Sequence, residues 1–250
     1  MTEPYVRKEI KGAVAYVEFF HPSHNSLPSN LLAELTDTIT SLGTDDAVRV
    51  IVLKSGGERT FCAGASFNEL ISIQDKEEGL RFFSGFANVI NAMRKCPKFI
   101  IGRVQGKAVG GGVGLASATD YCMATKYSSI KLSELNIGIG PFVVGPAIER
   151  KIGLSAMSQI AIKANTFFDP EWAKNKGLYT EVFPDAAAMD AGIVELTESL
   201  AQYNADAMVQ MKKMFWSGTE NWDDLLIERA AISGELVLSG FTRETLKRFA

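Results

Sequence analysis

The stretch IGRVQGKAVGGGVGLASATD, residues 101–120, decides the fold of this chain. Its β-branched start predicts a buried strand, and the small apolar residues after Gly110–Gly112 predict a closely packed helix. A strand, a glycine turn and a helix start leave backbone N–H groups free at the positive end of a helix dipole. Because glycine has no Cβ, a ligand can approach this backbone closely. The stretch therefore predicts a site for an anion or a developing oxyanion.

Spacing alone leaves several interpretations of this turn open. In a dinucleotide-binding fold, Gly112-Val113-Gly114 with Ser117 resembles the glycine fingerprint, and Glu134 lies about 20 residues further on, where an acidic residue is expected. The second interpretation is an oxyanion hole. The third is a turn that only packs a helix closely against a strand.

The composition is that of a globular protein with a substantial core. Of the 250 residues 46% are hydrophobic and 22% charged, and the net charge of −3 gives no basic footprint, so we predict no nucleic-acid partner. Cys62, Cys96 and Cys122 follow no metal spacing and fit a reducing compartment, which predicts a cytoplasmic location. The two histidines, His21 and His24, are too few for a zinc site or a full Ser-His-Asp triad, so we predict no metal. No apolar run reaches membrane-spanning length, which predicts no membrane partner.

Hydrophobic periodicity predicts strands alternating with helices, followed by helices alone. The predicted strands span residues 5–10, 13–20, 48–54, 99–104, 121–125, 129–132 and 177–182. The predicted helices span residues 28–43, 75–96, 146–151 and 171–176, with about four more after residue 185. This order predicts an α/β fold with right-handed parallel crossovers. We divide the chain into a core, residues 1–184, and a helical region, residues 185–250.

Five motifs in this order resemble the crotonase superfamily (enoyl-CoA hydratase/isomerase) over essentially the whole chain. They are HPSHNSLPSNLLAEL (21–35), FCAGAS (61–66), VQGKAVGGGVGLA (104–116) with Asp120, SELNIGIGP (133–141) and AKNKGLYTEVF (173–183). Their combination rejects the dinucleotide interpretation. The resemblance implies a crotonase (ClpP-like) spiral of ββα units with a C-terminal α-helical region that packs homotrimers, often paired as hexamers.

The resemblance also implies an acyl-CoA site built largely from backbone groups. The N–H groups of Ala65 and Gly111 match those that form the family's oxyanion hole for the thioester carbonyl. Neighbouring residues are similar to those that hold the acyl and CoA parts of the substrate: His24, Asn25, Ser26, Leu27, Ala63, Gly64, Ser66, Phe67, Gly110 and Pro141. Arg59 and Lys107 are candidate partners of the CoA phosphates. No cofactor is implied beyond the coenzyme A of the substrate itself.

The catalytic carboxylates depart from the family pattern. Hydratases of the family use two glutamates, and the position of the first is Gly114 here, whereas the second matches Glu134. Ser66 stands where the family often has Asp. One carboxylate predicts double-bond isomerisation by proton shuttling. The alternatives are an enoyl-CoA hydratase or dehydratase, including a methylglutaconyl-CoA type, helped by a second acid such as Glu69 or Glu149, and a low-turnover protein that binds CoA esters.

The acyl pocket is expected between the core and the C-terminal helices. We predict that the helix near residues 71–86 and the loop 141–144 line it. Trp216 or Phe241 is expected to close it from the C-terminal side. The motifs do not define the acyl chain.

Overall fold

The computed structural model describes residues 3–248, which form nine strands, ten α-helices and one short 3₁₀ helix. The strands are β1 (Tyr5–Lys11), β2 (Val14–Phe20), β3 (Val50–Ser55), β4 (Thr60–Cys62), β5 (Phe99–Val104), β6 (Lys107–Val109), β7 (Tyr121–Thr125), β8 (Ile130–Lys131) and β9 (Glu181–Phe183). The helices are α1 (Ser29–Gly43), α2 (Phe67–Ser72), α3 (Lys76–Lys95), α4 (Gly111–Ala118), α5 (Gly145–Ile162), α6 (Pro170–Asn175), α7 (Ala186–Gln202), α8 (Ala205–Phe215), α9 (Trp222–Leu236) and α10 (Gly240–Lys247), and the 3₁₀ helix is Glu134–Ile137. None of the helices between residues 3 and 248 has both the length and the apolar character needed to cross a membrane.

Two sheets organise the core. The larger has the strand order β1-β2-β3-β5-β7-β9, in which only β1 and β2 pair antiparallel, and the smaller is the parallel sheet β4-β6-β8. The central strands β3 and β5 are apolar on both faces because helices cover the sheet on both sides. One of the helices that cover the sheet is α7. Its Met189 and Ile193 pack against valines of β2 and β3, which are Val14, Val50 and Val52. This helix lies beyond residue 184, yet it completes the core of the larger sheet.

The stretch of residues 101–120 contributes to two strands, β5 and β6, where the sequence predicted one. β5 ends at Val104, the chain turns at Gln105-Gly106, and β6 then continues in the smaller sheet before α4 begins at Gly111. Glycine is required at the turn, because a Cβ on Gly106 would overlap the backbone of Arg59. β4 is likewise a strand that is absent from the predicted ones. Three-residue strands are too short to give a periodic signal.

Other boundaries differ from the prediction. The helix expected at residues 146–151 is α5, which continues to Ile162 across a break at Gly153, where φ is 75°. The strand expected at residues 177–182 is the shorter β9, and the one expected at 129–132 is the two-residue β8. Pairing with a neighbouring strand, which local sequence does not report, sets these ends.

A buried ion pair fixes α8 to the larger sheet. Lys212 Nζ lies 2.8 Å from Asp120 Oδ2, and the side chains are only 2% and 5% exposed. Lys212 Nζ also donates to the carbonyl of Lys98 over 2.7 Å, and Trp216 Nε1 donates to Asp120 Oδ1 over 2.9 Å. Because loss of one partner would leave a buried charge unpaired, this contact holds the C-terminal helices in a defined place.

Candidate functional site

A cavity of about 160 Å³ lies at the ends of β4, β6 and β8. Its walls are mostly apolar and are formed by Ala63, Gly64, Ala65, Phe67, Leu70, Phe82, Phe83, Phe86, Gly110, Gly111, Ser133, Glu134, Ile137, Ile139, Gly140, Pro141, Phe142, Val143, Val144 and Ser233. Among these described wall residues Glu134 carries the sole ionisable side chain. The cavity therefore combines one proton-transfer group with an apolar binding space.

Two backbone amides in the cavity wall have no hydrogen-bond acceptor. Ala65 lies opposite Leu27 in a parallel bridge, where Leu27 N donates to Gly64 O over 2.8 Å and Ser66 N donates to Leu27 O over 3.0 Å. The neighbours of Ala65 thus make the bridge bonds, which leaves the Ala65 amide pointing away from it. The Gly111 amide is the first of α4 and has no acceptor within the helix. Within residues 3–248 neither amide donates a hydrogen bond.

Glycines bring these two amides together. Gly64 has φ 96°, and a Cβ there would lie 3.2 Å from Val109 O and 3.5 Å from Gly111 N. The turn that carries Ala65 therefore packs directly on the turn that starts α4. Cys62 supports the first turn, because its Sγ accepts a hydrogen bond from Gly64 N over 3.4 Å. The arrangement matches an oxyanion hole, in which two fixed donors face one oxygen.

The carboxylate of Glu134 lies beside this pair of turns. Gly110 has φ 53°, which favours glycine, and a Cβ on it would be 3.0 Å from Glu134 Oε1, so the carboxylate lies close against this part of the backbone. Glu134 Oε2 is buried and accepts no hydrogen bond from the described part of the chain. Burial raises the pKa of Glu134 to about 7, although the backbone amides of Glu134 and Ser133 act in the opposite direction. A carboxyl group with this pKa can both accept and return a proton near neutral pH.

The structure brings no second carboxylate to the cavity wall within residues 3–248. A Cβ on Gly114 would lie only 2.5 Å from Val144 Cγ1, so an aliphatic side chain fills the space beside this glycine. Glu69 accepts a hydrogen bond of 2.6 Å from the Ser29 hydroxyl at the start of α1, and Glu149 is exposed on α5. Neither Glu69 nor Glu149 lines the cavity, so the second acid expected from them is absent from this wall.

Most of the residues predicted for the site line the cavity: Ala63, Gly64, Ala65, Phe67, Gly110, Gly111, Glu134 and Pro141. The segment His24, Asn25, Ser26 and Leu27 lies behind the wall. Asn25 Nδ2 donates to Gly56 O and Thr60 O, both over 2.8 Å, and thereby holds the loop that leads into β4. The contact of this segment with coenzyme A stays a prediction.

Ser66, Arg59 and Lys107 also lie outside the cavity wall. Ser66 caps α2, because its hydroxyl accepts a hydrogen bond from Glu69 N over 3.4 Å. Arg59 and Lys107 line a separate cleft at the opposite ends of β4 and β6 from the amides of the cavity. Their pairing with CoA phosphates stays a prediction.

The C-terminal helices contribute to the acyl pocket as expected, through Ser233 of α9, but not through either of the two residues named for that side. Phe82, Phe83 and Phe86 come from the expected helix, whereas neither Trp216 nor Phe241 lines the cavity. Trp216 is held away by its bond to Asp120, and the Phe241 side chain is 64% exposed. The wall residues that were not predicted from the sequence include Ser233 of α9, Ile137 at the end of the 3₁₀ helix, and Ile139 two residues after it. The pair of small residues at 233–234 was the available signal for a close helix contact.

Metal ligation finds no support in the described part of the chain. Between residues 3 and 248, no group of three or more His, Cys, Asp or Glu side chains is placed to hold a metal ion. The cavity instead offers backbone donors and one carboxylate.

Comparisons with known proteins give the family of the chain and its fold. A family model described as enoyl-CoA hydratase/isomerase matches residues 9–244. The chain is 30% identical over 211 residues to the peroxisomal Delta(3,5)-Delta(2,4)-dienoyl-CoA isomerase of Arabidopsis thaliana, covering 78% of this chain and 74% of that protein. It is also 30% identical over 189 residues to the mitochondrial methylglutaconyl-CoA hydratase of Mus musculus, covering 75% and 60% of the two chains. The crystal structure of enoyl-CoA hydratase from Bacillus halodurans matches with a TM-score of 0.90 at 19% identity, covering 98% and 99% of the two chains, which confirms the predicted fold class.

Proposed function

Because the chain belongs to the enoyl-CoA hydratase/isomerase family, we propose that it is an enzyme that moves the double bond of an enoyl-CoA. Glu134 is its single proton-transfer group. The observation that carries the proposal is the contrast between the buried carboxylate of Glu134 and the aliphatic contact at Gly114. Coenzyme A enters as part of the substrate, and no further cofactor is proposed.

The amides of Ala65 and Gly111 bind the thioester carbonyl oxygen in this mechanism. Both are free of other acceptors among the described residues, and both belong to turns fixed by glycine conformations. The start of α4 adds the positive end of a helix dipole at Gly111. Preorganised donors of this kind contribute about 3 kcal/mol each when negative charge develops on the bound oxygen.

Glu134 moves the proton. As the carboxylate it removes a proton from C2 of a 3-enoyl-CoA, and the electron pair of that C–H bond forms a dienolate whose charge lies on the thioester oxygen. The resulting carboxylic acid returns the proton to C4, which gives the 2-enoyl-CoA and regenerates the carboxylate. A pKa of about 7 suits both steps, because neither protonation state is strongly favoured at neutral pH.

Hydration requires more than this wall supplies. Water must be activated for attack at C3 while a proton is delivered to C2, and the hydratases that the chain resembles use two glutamates for this. Val144 occupies the space beside Gly114 where the first would lie. We therefore place hydration second to isomerisation, although the relatives include a hydratase.

The cavity favours an apolar acyl group. A methylglutaconyl group carries a free carboxylate, which needs a cationic or hydrogen-bonding partner when it is buried. No lysine or arginine is among the described residues of the wall, and five phenylalanines are: Phe67, Phe82, Phe83, Phe86 and Phe142. We therefore propose an unbranched hydrocarbon acyl group in preference to a carboxylated one.

We also propose that the enzyme is a cytoplasmic homotrimer or a hexamer of two trimers. Exposed apolar side chains lie on the C-terminal helices, including Met211, Met214 and Phe215 of α8. Clusters of this kind are typical of protein interfaces. Light scattering coupled to size-exclusion chromatography tests this part, since a monomer at micromolar concentration would contradict it.

The reaction is tested by product analysis in D2O. Crotonyl-CoA and 3-hexenoyl-CoA are incubated with the enzyme and followed by mass spectrometry, with Glu134→Gln as the control variant. We expect the double bond of 3-hexenoyl-CoA to migrate to C2 with deuterium incorporation and little addition of water. Accumulation of a 3-hydroxyacyl-CoA would instead show a hydratase. If double-bond migration and deuterium exchange are both absent while the thioesters bind, the protein is a binding module.

A further inference from the structure

We propose that Ser233 of α9 is a specificity-determining residue that ends the acyl cavity and limits the substrate to chains of about eight carbons. This inference rests on the proposed function, because it assumes that the acyl group of a CoA thioester fills the cavity. Ser233 is 1% exposed and is the cavity residue contributed by the C-terminal helices. It therefore places a helix distant in sequence at the wall of the site.

Helix α3 gives the cavity its long axis. Its Phe86 lies against the oxyanion end, because a Cβ on Gly111 would overlap the Phe86 ring. Phe82 and Phe83 line the cavity about one helical turn earlier. Gly79, a further turn back, contacts Gly234 of α9, the residue that follows Ser233. Ser233 therefore lies at the end of the cavity opposite Gly111.

The wall at this end is rigid. A Cβ on Gly79 would lie 2.7 Å from both the Cα and the carbonyl oxygen of Gly234, so the two helices touch backbone to backbone. Unlike a flexible side chain, a helix backbone does not rotate away from a longer substrate. Ser233 is the small side chain beside this contact that leaves the last part of the cavity open.

The length of the cavity and its volume give two estimates of the size of the acyl group, about eight and about six carbons. The seven residues from Phe86 to Gly79 span about 10 Å at the α-helical rise. An extended hydrocarbon chain advances about 1.3 Å per carbon, from a C–C bond of about 1.5 Å, so this distance holds about eight carbons. The cavity volume of about 160 Å³ is close to that of an apolar cavity of about 150 Å³ that holds a benzene ring, with its six carbons. We therefore expect the best substrates to have about six to eight acyl carbons.

The test measures a chain-length profile. kcat/KM is determined for 3-enoyl-CoA substrates of four to twelve carbons with the wild type, Ser233→Thr and Ser233→Val. We expect the ratio of kcat/KM for eight carbons to that for four carbons to fall about tenfold in Ser233→Val, because the added methyl groups remove room only at the far end. Ser233→Thr keeps the hydroxyl and should give a smaller fall. Ser199→Val, on α7 and outside the cavity wall, is the matched control and should leave the ratio unchanged.

A second variant works in the opposite direction. Ser233→Gly removes the side chain at the far end of the cavity and should move the optimum to longer chains. If Ser233→Val lowers all chain lengths equally, Ser233 is only a packing residue and the inference is wrong. It is also wrong if the wild type turns over twelve-carbon substrates as well as eight-carbon ones.

Measuring the binding of saturated thioesters tests the role of Ser233 independently of the proposed reaction. Calorimetry with saturated butyryl-CoA and octanoyl-CoA measures the same length preference without turnover. If the octanoyl preference is lost in Ser233→Val while the isomerisation assay fails in the wild type, the proposed reaction is wrong and the role of Ser233 stands. If turnover is seen but the two saturated thioesters bind the wild type and Ser233→Val in the same ratio, the role of Ser233 is wrong and the reaction stands.

Discussion

Position 134 and position 114 flank the same glycine turn and have opposite properties. At position 134 a carboxylate lies against Gly110, is buried, and has a pKa raised to about 7. At position 114 there is no side chain, and Val144 fills the adjoining space. One side of the turn therefore carries the carboxylate that we propose moves the proton, and on the other side an aliphatic side chain fills the space beside Gly114.

In the proposed function, this difference turns a framework for two carboxylates into a framework for one. Losing a glutamate alone would leave a space that water can occupy and use. Here the space beside Gly114 is closed by an aliphatic side chain, so the loss of the acid and the loss of room for water go together. The backbone donors of the turn are common to both chemistries and need no change.

The largest effect is expected at position 134. Glu134→Gln keeps the shape of the side chain and removes its basicity, so kcat should fall by about 10²–10⁴ while thioester binding is retained. Stopped-flow assays of isomerisation with calorimetry of a saturated thioester measure both. Retention of wild-type kcat would show that another group carries the proton. The contrast between positions 134 and 114 would then not explain the reaction.

The second largest effect on kcat is expected from a change in the glycine turn that lies between these two positions. Gly111→Ala places a Cβ into the Phe86 ring and shifts the amide that faces the carbonyl oxygen. We expect kcat to fall by about 10²–10³, as for loss of one oxyanion donor. Gly240→Ala is a suitable control, because a Cβ on Gly240 meets nothing within 4 Å. Equal activity of the two variants would place the reacting oxygen elsewhere.

The pH profile should reflect one carboxylate rather than two. As a base Glu134 acts only when ionised, so kcat/KM should fall about tenfold per pH unit below its pKa of about 7 and level off above it. With no second carboxyl in the described wall, no alkaline limb is expected from a catalytic acid. A bell-shaped profile centred near neutrality would indicate a second titrating group.

The same raised pKa lowers the stability of the folded protein as the pH rises from acid to neutral. Burial raises the pKa of Glu134 above its unfolded value, so the folded state binds more protons and the free energy of unfolding falls as the pH rises from about 4.5 to about 7. Glu134→Gln removes this loss. Chemical denaturation should therefore show a variant more stable than the wild type above pH 7, by as much as about 3 kcal/mol. Stability curves that stay parallel across this pH range would contradict the raised pKa.

The smallest effect is expected at position 114. Gly114→Ala sets a Cβ 2.5 Å from Val144 Cγ1, an overpacking that should lower the free energy of unfolding by about 1–3 kcal/mol. Adding Val144→Gly should recover part of this loss, and a double-mutant cycle from thermal unfolding measures the coupling. Strictly additive effects would mean that Val144 does not fill the space beside Gly114.

The sequence was sufficient for features that depend on local chemistry. The glycines at 110–112 predicted exposed backbone amides, whereas Ala65 and Glu134 were identified through the resemblance to the family. Contacts between segments that are far apart in the chain could not be predicted from local sequence. β4 and β6 are too short to show a period, and Ser233 reaches the cavity only because Gly79 and Gly234 let two helices, far apart in the chain, touch.

Cys62 has a chemical consequence for the durability of the site. Its thiol supports the turn that carries Ala65, and burial raises its pKa to about 12. A thiol that stays protonated and out of solvent reacts slowly with alkylating reagents and oxidants, because the thiolate is the reactive form. The protein thus has, beneath the turn that carries the Ala65 amide, a thiol that should react slowly with alkylating reagents and oxidants for as long as the chain remains folded.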